Sequence, residues 1–143
     1  MRIAVTRPGE DAGPLKAKLE ALGHEAVMAR LMRIAPRAGV DIPALAWQAI
    51  AVTSANAIRA LPQGHGLSSI RTLTVGPQSL TAATVAGFRA EAHGGDVNGL
   101  AAFIRATLDP AKGPVLYLSG AETAGDLEAQ LKAAGFACHR AVL

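Results

Sequence analysis

The sequence has few aromatic residues, a single cysteine and little charge. Aromatic side chains make up 3% of the 143 residues and charged ones 17%, and the only cysteine is Cys138. So few aromatics argue against a surface on which the bases of single-stranded nucleic acid stack. One cysteine excludes an internal disulfide and a CxxC zinc site, and it suits a reducing compartment. We therefore expect a cytoplasmic protein without a nucleic-acid partner.

Long apolar runs are missing as well. Two uncharged stretches, 42–58 and 72–88, each contain proline together with hydroxyl and amide side chains. Neither provides the roughly 20 mostly apolar residues that a membrane span needs. We expect no membrane partner.

The common motifs of nucleotide and nucleophile chemistry do not occur. The sequence contains no GxGxxG, no GxxxxGK[ST] and no GxSxG motif, and none of its four histidines is paired at metal-ligand spacing. Glu122 and Asp126 are four residues apart, at the start of a predicted helix, where the helix dipole favours negative charge without any catalytic role. We expect neither a metal nor a cofactor.

What the sequence does contain is enough apolar material for a core. Half of its residues are hydrophobic, and they alternate between strand and helix patterns. The run Arg2–Thr6 predicts a buried strand, and Leu15, Leu19 and Leu22 predict one face of the helix that follows it. A second strand is predicted at 24–28, which completes a βαβ opening.

From residue 46 the alternation continues to the end of the chain, after a stretch without clear period at 30–42 that we interpret as a linker. Ser54 is predicted to cap a helix that reaches Leu61, and Asp96 or Asn98 to cap a later one. The fold class predicted is α/β: a flavodoxin-like domain with a parallel sheet and helices on both faces, plus part of a second α/β domain of the same kind.

Hydroxyl-bearing residues and glycines follow the predicted strands at the point where each strand ends. Open parallel sheets bind ligands beyond the carboxyl ends of their strands, and helix starts there offer N–H donors to carboxylates or phosphates. The same residue types are also ordinary helix caps and turn residues. With a net charge of +3, a preference for anionic small molecules remains open.

In their order and spacing, these strand-end motifs resemble uroporphyrinogen-III synthase. Each motif is weak alone, but together they extend over nearly all of the chain. The matching motifs are Val5-Thr6-Arg7-Pro8, Val52-Thr53-Ser54-Ala55-Asn56-Ala57, Val75-Gly76 with Ser79, Asn98-Gly99-Leu100, and Val115-Leu116-Tyr117-Leu118-Ser119-Gly120.

The resemblance implies two α/β domains with the active site in the cleft between them, the first domain being discontinuous. Residues 1–35 would be the opening piece of that first domain, and residues 38–143 the second domain with the start of a return linker strand. The implied reaction closes the linear tetrapyrrole hydroxymethylbilane to uroporphyrinogen III, with inversion of the last pyrrole ring and loss of water. The family uses no metal or cofactor.

Carried over residue by residue, the resemblance implies a set of substrate-binding positions at the strand ends. Ser79 stands where the family usually has threonine, so the hydroxyl is kept. The positions are Arg7, Thr53, Ser54, Asn56, Gly76, Ser79, Ser119 and Gly120.

The resemblance leaves the catalytic residue unassigned. The family tyrosine near the leaving hydroxyl would be the residue after Leu143, and Tyr117, a predicted strand residue, does not replace it. Because the sequence ends on the apolar run 141–143, we expect a chain cut in mid-strand and a weak or inactive enzyme. Unpaired sheet edges in residues 1–30 predict a dimer through this segment, or poor order there.

A second hypothesis is a non-catalytic, flavodoxin-like module that holds a carboxylated or phosphorylated small molecule. The lack of an evident acid or base favours it. Both hypotheses predict that Ser54→Ala and Ser79→Ala weaken anion binding.

Overall fold

The computed structural model describes residues 1–93 and 95–143 and divides the chain into two units, Met1–Ala35 and Pro36–Leu143. The domain organisation proposed from the sequence, 1–35 and 38–143, stays a prediction. The expected discontinuity of a first domain stays a prediction.

The first unit is a single βαβ element. Strand β1 (Arg2–Val5) and strand β2 (Glu25–Met28) pair in parallel, and helix α1 (Gly9–Ala21) connects them. A small core of Val5, Ala12 and Ala26 lies between the helix and the strands. Leu22 is 73% exposed, because the helix ends there, so its predicted place on the buried face is wrong.

The second unit is built on five parallel strands in the spatial order β5-β4-β3-β6-β7. Every residue of the two central strands, β3 and β6, is buried, which explains their unbroken apolar runs. The strands are β3 (Ala49–Val52), β4 (Arg71–Thr74), β5 (Arg89–Ala92), β6 (Val115–Ser119) and β7 (Cys138–Val142).

Helices cover both faces of this sheet. Helices α2 (Ala55–Arg59) and α3 (Gly76–Val85) pack on one face, and helices α4 (Val97–Thr107) and α5 (Leu127–Ala133) pack on the other. Successive strand residues alternate between the two cores, as a pleated strand requires. The α/β class, with a parallel sheet between two helical layers, is confirmed.

Side-chain caps fix where three of these helices begin. Ser54 accepts a hydrogen bond from the Asn56 amide at 3.3 Å, and Asp96 accepts one from the Gly99 amide at 2.7 Å. Both caps were predicted, and each contributes about 1 kcal/mol. Asp126 caps α5, so the helix begins at Leu127 and the predicted helical start at Glu122 is wrong.

Residues 120–126, between β6 and α5, form a loop in place of the predicted first turn of the helix.

None of the helices in the described part of the chain could span a membrane.

Candidate functional site

The strand order reverses at β3, which has β4 on one side and β6 on the other. Connections from the carboxyl ends of β3 and β6 therefore diverge to opposite faces of the sheet. Open α/β sheets bind ligands in a crevice at such a switch point, and we call this edge the switch-point crevice. Thr53 follows the last residue of β3, and Ser119 is the last residue of β6. The structure thus brings the predicted Thr53–Ser54 and Ser119–Gly120 pairs to neighbouring strand ends.

A buried hydroxyl connects these two strands. The Tyr117 side chain is 1% exposed, and its hydroxyl lies 3.0 Å from the Thr53 hydroxyl oxygen. The bond satisfies a polar group that would otherwise be unpaired inside the apolar core. It also fixes the orientation of Thr53 at the mouth of the crevice.

Arg140 reaches the same edge from β7. Its Nε donates to the Ser119 hydroxyl at 2.8 Å, and its Nη2 donates to the carbonyl oxygens of Gly120 at 3.0 Å and Ala121 at 3.1 Å. Its guanidinium carbon lies 5.9 Å from the centre of the Tyr117 ring. One half-buried cation therefore ties together the end of β6 and the loop that follows.

Ser54 and Asn56 are occupied within helix α2. The Ser54 hydroxyl oxygen caps the helix, and the Asn56 side-chain oxygen accepts from Arg59 Nη1 at 2.9 Å. Helix capping accounts for the contact of Ser54, and a side-chain pair three residues apart within the helix accounts for that of Asn56. Their predicted contact with a ligand stays a prediction.

Gly76 and Ser79 lie beyond the end of β4, in the first turn of α3. Gly76 has a φ of +73°, in the left-handed region that favours glycine. Ser79 is buried at 5% exposure. The turn from β4 into α3 therefore requires glycine at this position. The turn places the first N–H groups of α3 at the same edge of the sheet as Thr53.

Arg7 belongs to the first unit, where it follows β1 and is exposed. The other predicted positions all belong to the second unit. The carboxyl ends of β3 and β6 thus lie side by side. The start of α3 follows the carboxyl end of β4, on the other side of β3.

Tyr117 and Arg140 were missed as site residues from the sequence. Tyr117 stands two residues before Ser119 on the same strand face, and the register pairs it with Arg140. An arginine in the middle of a short predicted strand, directly before an apolar run, was the available signal. Its partners lie about 20 residues away in the chain, so only the strand pairing reveals them.

The chemistry offered by this crevice is hydrogen bonding and positive charge. Its contacting groups are hydroxyls, backbone amides and carbonyls, and one guanidinium. Within residues 1–93 and 95–143, no cluster of three or more potential metal-ligating side chains occurs. An arrangement of this kind suits the binding of an anionic organic molecule better than acid–base catalysis.

The strand order and the two helical layers define an open α/β protein with a switch point in its parallel sheet. The chain belongs to the uroporphyrinogen-III synthase family, because the family model for uroporphyrinogen-III synthase HemD (HEM4) matches residues 13–143. The family identified from the strand-end motifs is thereby confirmed.

A solved structure agrees with the fold. A mutant uroporphyrinogen III synthase from the extremely thermophilic bacterium Thermus thermophilus is 16% identical, with a TM-score of 0.60. The alignment covers 99% of this chain and 61% of that one. The wild-type enzyme in another crystal form is 17% identical, with a TM-score of 0.49 and coverage of 98% and 59%. The chain thus spans about three fifths of the length of these structures, and no curated protein matches it by sequence.

Proposed function

We propose that this chain carries part of a uroporphyrinogen-III synthase, which closes hydroxymethylbilane to uroporphyrinogen III with inversion of the last pyrrole ring and loss of water, in tetrapyrrole biosynthesis. The observation that carries the proposal is the family match over residues 13–143. These residues include both strand ends of the switch-point crevice.

The substrate of this reaction carries many carboxylates, and the crevice offers groups that bind carboxylates. We infer that Thr53, Ser54, Asn56, Gly76 and Ser79 form one part of the binding surface. Ser119 and Gly120 form the neighbouring part, and Arg7, in the first unit, is proposed as a further substrate-binding position. Two observations support this inference. Thr53 and Ser119 lie at the carboxyl ends of neighbouring strands, and Gly76 forms the turn that begins α3 at the same edge.

The role of these residues is to hold and fold the substrate. An activated hydroxymethylpyrrole ionises readily, so the enzyme mainly selects which ring carbon meets the reactive centre. Correct orientation of reacting groups supplies a large part of the rate in such ring closures. Hydrogen-bond donors at fixed strand ends suit this task, and no side chain of the described crevice is assigned a proton-transfer role.

We propose that the 143 residues alone are a weak or inactive catalyst. They span 61% of the Thermus enzyme in the structural alignment, and the family builds its active site from two domains. The reaction is expected to take place in the cytoplasm.

A non-catalytic role is the second candidate, favoured by the contacts in the crevice. The groups that bond one another there are Thr53, Tyr117, Ser119 and Arg140, and none is a carboxylate or an imidazole. In this second candidate function, the chain holds a carboxylated or phosphorylated small molecule without converting it.

An isomer assay combined with a binding assay tests the proposal. The chain is given fresh hydroxymethylbilane, and the oxidised uroporphyrin products are separated by chromatography. Uncatalysed closure gives isomer I, so isomer III above that background supports the synthase function. Equilibrium dialysis with uroporphyrinogen III, kept reduced under nitrogen, measures binding without turnover. The absence of both isomer III and binding would contradict the proposal, whereas binding of another carboxylate alone would favour the second candidate.

A further inference from the structure

We propose that Arg140 receives a carboxylate of the tetrapyrrole in the switch-point crevice. The inference rests on the proposed function and names a further binding residue for that reaction. Arg140 was not among the positions that the family resemblance supplied.

The first observation is that Arg140 lacks a carboxylate partner. Within residues 1–93 and 95–143, none of the ion pairs involves this side chain. All of its acceptors are neutral: the Ser119 hydroxyl and the carbonyls of Gly120 and Ala121. A half-buried cation gains from a nearby negative charge because water screens it only in part.

Arg71 provides an internal comparison. Its guanidinium carbon lies 5.7 Å from the centre of the Phe103 ring, much as Arg140 lies 5.9 Å from that of Tyr117. Arg71, however, pairs with the carboxylate of Glu91. The Nε of Arg71 bonds the Glu91 carboxylate, whereas the Nε of Arg140 bonds the Ser119 hydroxyl. Of these two arginines beside an aromatic ring, Arg140 is the one without a carboxylate among the described residues, and its Nη1 is left for one.

The second observation is the set of donors that Arg140 still has. A guanidinium carries five N–H groups. Three of them are used by Nε and Nη2 toward Ser119, Gly120 and Ala121. In the described part of the chain, Nη1 forms no hydrogen bond. Its two N–H groups are available to a carboxylate, while the other three hold the side chain in place.

The third observation is position. Arg140 is opposite Tyr117 in the register of β6 and β7, on the strand face that also carries Ser119. Its backbone lies in the middle of the outer strand β7, and its guanidinium reaches the carboxyl end of β6 at Ser119 and Gly120. That end of β6 adjoins the switch point, where ligands of open α/β sheets bind. A positive charge fixed there complements a substrate that carries carboxylates on every ring.

Two substitutions separate charge from hydrogen bonding. Arg140→Lys keeps the charge and loses the fork of donors, whereas Arg140→Gln keeps a donor and loses the charge. Arg89→Ala, an exposed residue on the outer strand β5, is the matched control. Each protein is first shown to be folded by urea unfolding, and binding of reduced uroporphyrinogen III is then measured by equilibrium dialysis from 50 to 500 mM NaCl.

We expect Arg140→Gln to bind about 10- to 100-fold more weakly than the unaltered chain, and with a smaller salt dependence. Arg140→Lys should stay within about tenfold and keep its salt dependence, and Arg89→Ala should bind normally. If Arg140→Gln does not fold, Arg140→Met takes its place, and the same weaker binding with a smaller salt dependence is expected of it.

Three results would count against these statements, and they are distinguishable. Normal binding by Arg140→Gln overturns the inference alone. So does equal weakening by both substitutions with an unchanged salt dependence, since that shows a purely structural role. No binding by the unaltered chain overturns the proposed function, and the inference with it.

Discussion

The Tyr117 hydroxyl is a polar group inside an apolar core, and its partner is the Thr53 hydroxyl on the neighbouring strand end. A buried hydroxyl without a partner costs free energy, whereas a satisfied one is close to neutral. The pair therefore makes a small contribution to stability. Its larger effect is to hold Thr53 in one rotamer beside the crevice.

A double-mutant cycle measures this pair. Tyr117→Phe and Thr53→Val should each lower the free energy of unfolding by about 1 kcal/mol, because each leaves the other hydroxyl without its partner. The double variant should lose less than the sum, with a coupling of about 1 kcal/mol in urea denaturation. Strictly additive losses would show that the two hydroxyls do not interact.

The individual site residues were only partly predictable from sequence. Thr53, Ser54 and Ser119 were proposed from the family resemblance, whose motifs fall at strand ends that the hydrophobic pattern predicts. The interactions of Tyr117 and Arg140 depend on which strands are neighbours. That order is a property of the whole sheet, and no local pattern around Arg140 contains it.

Among the elements, the turn into β6 shows how one backbone conformation fixes a strand pair. Gly113 has a φ of +135°, and a Cβ built on it would lie 2.8 Å from the Ala46 carbonyl oxygen. The Gly113 carbonyl oxygen accepts a hydrogen bond from the Gln48 side-chain amide. The backbone N–H of Gln48 donates to the Pro114 carbonyl oxygen. These contacts bring the amino ends of β3 and β6 together.

Gly113→Ala should lower the free energy of unfolding by about 2 kcal/mol or more, because an alanine there is strained and meets backbone at short range. Gly120→Ala is the control, since its Cβ would meet only the Glu122 carbonyl oxygen at 3.8 Å. That substitution should change stability by about 0.5 kcal/mol at most. Similar losses from both substitutions, measured by urea denaturation, would refute the steric explanation.

Strands β4 and β5 are joined by a charged cluster that responds to pH. The Arg71 guanidinium, and after it His93 with Nε2 2.9 Å from Glu91 Oε2, lower the pKa of Glu91 below its ordinary value of 4.5. A lowered carboxyl pKa stabilises the folded state above the unfolded value, and the gain disappears as pH falls through the folded value. The pair is partly exposed, so the gain is under about 1 kcal/mol.

Glu91→Gln should therefore be less stable than the unaltered chain at pH 7. The difference should shrink as the pH is lowered below 4.5, the ordinary value of the Glu91 pKa. Urea unfolding at a series of pH values measures it. Glu122→Gln, in the loop after β6, serves as the control and should change stability little at any pH. A difference that stays constant down to pH 3 would exclude the electrostatic origin.

Most elements could be predicted because their apolar periods are clear, and the errors have physical causes. Leu22 has the right spacing for a buried helix face, but α1 ends before it and leaves it exposed. Residues 120–126 have no helical structure, since Arg140 takes the carbonyls of Gly120 and Ala121. Tertiary contacts thus decide where these helices begin and end.

At the scale of the whole molecule, the two units differ in how much they bury. The first unit has a buried core of three small or medium side chains, whereas the second has an extensive apolar core on each face of its sheet. Stability within a chain follows such differences in burial. The first unit is therefore the less stable part.

Hydrogen exchange followed by mass spectrometry tests this difference. Amides of β1 and β2 should exchange much faster than amides of β3 and β6. Within the first unit the described strands pair only with each other, so its sheet edges predict either a dimer through this sheet or poor order there. If a dimer forms, light scattering should give a mass that rises with protein concentration. Hydrogen exchange in residues 1–30 should then become slower as the concentration rises. A monomer at all concentrations with slowly exchanging residues 1–30 would contradict both expectations.

The place of β3 in the sheet has a consequence for the order of events during synthesis. Its partner on one side follows soon after it, but its partner on the other side is β6, and the bonded residues Thr53 and Tyr117 are 64 positions apart. At about 5–20 residues per second, a ribosome takes several seconds to add that stretch. During this time the most apolar strand of the nascent chain has one open edge. The emerging polypeptide is then most exposed to aggregation, and chaperone binding would protect it most.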